Sequence, residues 1–151
     1  MTLPANQPDS AASGAFSPWP HRLAAVLACA TFPLIWVGGL VTTTKAGMAV
    51  PDWPTTYGYS MFLYPWQTWL AAPWDLFIEH GHRLLGAGVG LLTLLLAAVC
   101  WLGRAKPLIR WLSIAAIAAV MFQGVLGGLR VVLDSRLIGQ LHGTFGPLFG
   151  L

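Results

Sequence analysis

Four histidines and a glutamate are the residues of this chain that could bind a metal or move a proton: His21, His80, His82, His142 and Glu79. Four ionisable groups fall in the five residues Glu79-His80-Gly81-His82-Arg83, directly before a long apolar run. Ionisable groups in a bilayer are costly and usually face a bundle interior or a cavity, which makes them candidates for function. His21 stands at a membrane edge, where a polar residue needs no further role. On a helix each residue turns about 100°, so Glu79, His82, Arg83, Gly86 and Gly90 share one face. His80 lies about 200° from His82, so the two cannot enter one site.

The surroundings of His82 recur around His142. His82-Gly86-Gly90 has the spacing of His142-Gly146-Gly150, and Gly38-Gly39-Leu40 matches Gly127-Gly128-Leu129. The chain reads as two similar helical hairpins, and membrane proteins often place a site between such repeats. His82 follows Asp75 by seven residues and His142 follows Ser135 by seven, which puts both imidazoles ~10 Å below their helix starts. Two imidazoles at one depth, with glycine below each, suit a flat ligand held from both faces. Haem with two axial histidines fits that description. Arg83 or Arg130 would then pair with its propionates. Other readings stand beside this one. Glycines four apart also serve close helix packing, and a histidine within a membrane can simply be hydrogen-bonded. Zinc would need three or four ligands, against two histidines and Glu79 here.

Elements that could position these groups follow from the charges. The chain has 151 residues, is 56% hydrophobic and only 9% charged, with a net charge of +3. This excludes a disordered chain, a basic nucleic-acid binder and most soluble enzymes. No charge falls in 23–44, 84–103, 111–129 or 137–151. The first three windows approach the ~20 apolar residues that cross a bilayer. The fourth holds 15 before the sequence stops, and is expected to be a helix cut short or part of a longer protein. The reading is an all-α membrane protein: a four-transmembrane-helix bundle with a truncated fourth helix. A flexible tail at 1–21 precedes the haem-binding domain at 22–151. Helices are predicted at about 22–43, 76–102, 109–130 and 137–151, with an outer loop at 44–75. Asp75 is the expected cap of the second helix, and Asp134 or Ser135 that of the fourth. Arg104, Lys106 and Arg110 mark one turn as cytoplasmic, and the N-terminus with it. Trp53, Trp66, Trp69 and Trp74 fit an interfacial aromatic belt. Cys29 and Cys100 read as buried small hydrophobes.

On these residues the chain resembles the haem A synthase family of cytochrome oxidase assembly. The resemblance rests on Gly38-Gly39-Leu40-Val41-Thr42, Pro51-Asp52-Trp53-Pro54, Glu79-x-x-His82-Arg83, Gln123-x-x-Leu126-Gly127-Gly128-Leu129 and His142-Gly143. It implies one half of an eight-helix inner-membrane oxidoreductase. That enzyme would convert haem O to haem A by oxidising a ring methyl to a formyl through successive hydroxylations. It also implies His82 and His142 as the histidine pair of this half and Glu79 as the catalytic acid, with haem b in the missing C-terminal half. Expected partners are that half or a second copy, the lipid bilayer, a haem O synthase and an electron donor, with no nucleic acid. Some relatives carry a cysteine pair in the first outer loop; this chain has none there. For Glu79 the residues leave open a proton shuttle, a partner for Arg83, or a helix cap. Rival functions are an electron-carrying cytochrome b, which needs the histidines but not Glu79, a haem-handling assembly factor, and a purely structural bundle.

Overall fold

A computed structural model describes residues 18–149. Most of the tail and Gly150 lie outside the described residues. Four long helices occur among them: α1 (Trp19–Thr43), α3 (Trp74–Leu102), α4 (Pro107–Val132) and α5 (Arg136–Phe149). Between α1 and α3 lie two short strands, β1 (Thr55–Thr56) and β2 (Tyr59–Ser60), and a one-turn helix, α2 (Trp66–Leu70). The first three long helices are long and apolar enough to cross a membrane. Only 6%, 22% and 17% of their most apolar windows are buried within the chain, so much apolar surface is left outside the chain's own packing. The chain is a mostly helical, multi-pass membrane protein.

The helix starts correct the expected boundaries. Prolines 18 and 73 stand at the N-caps of α1 and α3, and Pro107 opens α4. Proline suits a helix start because its missing N–H has no helical partner there. The first helix therefore takes in residues 19–21, expected in the tail. Asp75 is not the cap of α3: it lies inside the first turn, where its carboxylate accepts from the Leu76 N–H. Ser135 does cap α5, its hydroxyl accepting from the Ile138 N–H. Cys100 is buried, but Cys29 is exposed rather than buried.

The packing follows the predicted hairpins: α1 lies on α3, α4 on α5, and α3 joins the two pairs. Gly90 of α3 meets Val120 of α4, and Gly86 meets Leu34 of α1. These are ordinary helix-to-helix contacts, as expected of small residues in membrane helices. A small core of Val41, Ala46 and Ile78, with Leu40 and Phe77 against it, closes the loop end of α1 and α3. An apolar groove of about 740 Å³ also runs between these helices, lined by Pro33, Val37, Gly81, Leu85 and Gly88 among others; neither His82 nor His142 lines it.

The expected outer loop is folded, not irregular. Thr55 pairs with Ser60 and Thr56 with Tyr59 across a two-residue turn. Tyr57 and Gly58 both have positive φ, 50° and 79°, as the tightest hairpin turns require. Tyrosine resists that conformation. Asp52 compensates, its carboxylate accepting from the N–H groups of Tyr57 (2.8 Å) and Gly58 (2.9 Å). Burial raises the Asp52 carboxyl, but hydrogen bonds from Gly58, Thr55 and Tyr57 outweigh it and hold the group below its ordinary value.

Candidate functional site

His82 and His142 come together. Their ring centroids are 6.2 Å apart and their planes cross at 79°. A metal–imidazole bond is about 2 Å, and a ring nitrogen lies about 1.2 Å from its ring centre, so two imidazoles on opposite sides of one metal have centroids about 6.4 Å apart. The observed spacing is within a few tenths of that. Among the described residues no third His, Cys, Asp or Glu joins them to complete a metal cluster.

The doubled glycine motifs explain how each ring is seated. A Cβ on Gly38 would lie 2.9 Å from Cε1 of His82, and one on Gly127 would lie 3.2 Å from Cε1 of His142. Each imidazole therefore rests on the bare backbone of the other helix of its hairpin. At His142 the reach ends in a hydrogen bond: Nδ1–H donates to the carbonyl of Gln123 at 3.1 Å. A carbonyl only accepts, so the proton is on Nδ1 and the Nε2 lone pair is free to bind a metal. Leu34 holds the same place relative to Gly38 as Gln123 does to Gly127. No such bond forms at His82, whose Nδ1 is buried without a hydrogen-bond partner.

The second glycine of each pair differs. A Cβ on Gly39 meets nothing within 4 Å, whereas one on Gly128 would collide with the Trp53 indole. Trp53 thus docks the outer loop onto α4, a role the belt reading missed. Gly128→Ala should dislodge the indole and cost about 1–3 kcal/mol, the usual range for overpacking. Gly39→Ala should leave stability nearly unchanged. Thermal unfolding and tryptophan fluorescence of the two variants in detergent would check this; equal stability would remove the docking role.

Arg83 and Glu79 also hold the loop. Arg83 Nη1 donates to the carbonyls of Asp52 (2.7 Å) and Thr55 (3.0 Å), and Nη2 to Val50 (2.9 Å) and to Glu79 Oε1 (3.0 Å). Glu79 Oε2 accepts from the Val50 N–H at 2.9 Å. Both side chains are almost fully buried. Of the alternatives open for Glu79, the ion pair with Arg83 is the one formed. Arg83 does not present a free guanidinium as a propionate partner would; both its terminal nitrogens are occupied by the loop and Glu79. Arg130 reaches the loop from α4, its Nη2 donating to the Gly47 carbonyl. One loop therefore binds the helix carrying His82 and also α4, which seats His142.

His80 points away from the pair, as the helical arithmetic requires. It is 1% exposed, shares a 3.1 Å hydrogen bond with Thr56 Oγ1, and packs against Tyr64 and Trp69. Trp69 also donates through Nε1 to the Phe77 carbonyl. It is therefore part of the loop's packing, whereas Trp66 and Trp74 remain exposed as a belt requires.

A multi-pass helical membrane protein with paired imidazoles between two hairpins is the class these features define. A family profile described as "Cytochrome oxidase assembly protein" matches residues 21–142. The chain belongs to that family, the haem A synthase family of the sequence resemblance. Over 131 residues it is 34% identical to "Heme A synthase" of Shouchella clausii, covering 84% of this chain and 41% of that protein. It is 32% identical over 112 residues to "Heme A synthase" of Alkalihalophilus pseudofirmus, covering 70% and 34% respectively. Shewanella oneidensis "Heme A synthase" is 27% identical over 128 residues, with 72% and 38% covered. The chain spans about two-fifths of the length of these curated relatives. No solved structure matches it.

Proposed function

We propose that this chain is the N-terminal haem-binding part of a haem A synthase, an oxidoreductase that converts a ring methyl of haem O to the formyl of haem A. The observation that carries this reading is the imidazole pair, His82 and His142, spaced for one iron atom. A pair supplies only two ligands, so the metal must bring the rest of its coordination with it, as a porphyrin-bound iron does. The bound haem supplies the oxidising chemistry, and the protein supplies position and field.

His142 is held ready by its Nδ1–H bond to Gln123, which directs Nε2 inward. Gly38 and Gly127 let both rings sit close to backbone. Arg130 stands at the loop end of α4 and is the cation proposed to face the propionates. Arg83 fixes the loop above the site and so excludes water. Glu79 lies one turn from His82 and positions the loop through Val50; the catalytic proton role implied by the resemblance is proposed for the same carboxylate. The rest of the enzyme, a second four-helix half with its own haem b, is proposed to follow in the intact protein. The outer loop is proposed to face away from the cytoplasm, with the N-terminus on the cytoplasmic side of the cell membrane.

The test is conversion. Membranes containing the complete protein, supplied with haem O and reductant, should yield haem A on pigment extraction. A bis-histidine spectrum with no haem A formed would favour an electron-carrying cytochrome b.

A further inference from the structure

Gln123 carries a side chain that the proposed site does not yet use. Its Nε2 and Oε1 are both buried and neither has a hydrogen-bond partner. Because both atoms are affected, turning the amide over does not relieve it. A buried amide left in this state is unfavourable, so a partner is expected.

The position says what kind of partner. Val120, Gln123 and Gly127 are three and four residues apart and share one face of α4. Val120 meets Gly90 of α3, and Gly127 meets the His142 ring. Gln123 therefore faces the interior between α3 and α5, about one helical turn (~5.4 Å) further from the loop than the Gly127–His142 contact. A macrocycle held by the two histidines would bring its edge to this level. With its propionates towards Arg130 and the loop, as proposed above, such a macrocycle would turn its apolar edge to the amide.

We infer that Gln123 is a specificity residue, selecting a macrocycle that bears a hydroxyl on the edge remote from the loop. The inference rests on the haem reading given above. It follows from the donor set: the amide needs both an acceptor for Nε2–H and a donor for Oε1. A hydroxyl provides both. A vinyl or methyl provides neither, and a carboxylate or carbonyl only accepts. Sites built to hydrogen-bond a substrate hydroxyl discriminate strongly against analogues that lack it, because their own polar groups are then left unpaired. The Gln123 backbone carbonyl holds His142, so one residue both aims a ligand and reads the ring edge.

The experiment compares two probes on the full chain in lipid nanodiscs. Protohaem carries vinyls; iron haematoporphyrin carries hydroxyethyl groups in their place. Titration followed by absorbance gives an affinity for each. The native chain should prefer iron haematoporphyrin by about tenfold, and Gln123→Leu should erase that preference while leaving protohaem affinity within about twofold. Gln123→Met, which also keeps the volume, should behave the same way. Protohaem binding reports whether each variant is folded. No preference in the native chain, or a preference that survives both substitutions, overturns the role of Gln123. An equal loss of both probes in the variants also overturns it. Failure of the native chain to give a low-spin spectrum with either probe overturns the haem reading itself, a result separable from the others.

Discussion

His142→Ala should abolish low-spin haem binding in this domain and lower affinity by at least about tenfold, with His82→Ala as its counterpart. Each ring offers one of two protein nitrogens to a shared iron, and neither substitution touches the loop. The loss should therefore appear in the absorption spectrum before it appears in stability. His142→Gly leaves a space of imidazole size beneath Gln123. Added imidazole should fill it and restore the spectrum, because the Gln123 carbonyl still accepts from the free ring. The measurements are pyridine haemochrome stoichiometry and the visible spectrum of purified membranes. An unchanged low-spin spectrum in either alanine variant would take that residue out of the ligand set.

Arg83→Met should be the most destabilising single change. Its guanidinium serves three loop carbonyls and one buried carboxylate. Methionine keeps much of the stem but leaves Glu79 charged, buried and without its cation. Breaking a buried pair from one side costs about 3–5 kcal/mol. Amide exchange at residues 50–56 should rise, and thermal stability should fall. Glu79→Gln is the informative contrast. It removes the charge and keeps a single acceptor, for Val50 or for Arg83 but not for both. Arg83 retains its three loop carbonyls, so the loop should loosen less than in Arg83→Met and haem should still bind. Turnover of haem O should nonetheless be lost if this carboxylate moves a proton. Normal haem A production in Glu79→Gln, with the loop intact, would leave the residue a purely positioning role.

The sequence carried the histidine geometry further than it carried the loop. The 100° turn per residue separated His80 from His82, and the repeat of His and paired glycines singled out His142. Both inferences use short-range periodicity, which a single helix obeys whatever surrounds it. The charge-free windows located the spans for a similar reason. Arg83 was harder. A cation beside a suspected haem site suggests a propionate, and nothing in the residue order reveals that three carbonyls from 50–55 turn towards it. The contact of Trp53 with Gly128 spans 75 positions and was equally hidden; the second glycine of the pair is its one trace in the sequence. Pro73, before a long apolar run, marks the start of α3 better than Asp75 does, because proline's missing N–H has no helical partner there.

The crossing of the outer loop from Arg83 to Arg130 has a consequence for how the two hairpins stay in register. A single strap laces both halves of the repeat together at one end of the helices. Ring spacing should thus respond to whatever grips or loosens that strap, even though no atom of it lies between the rings.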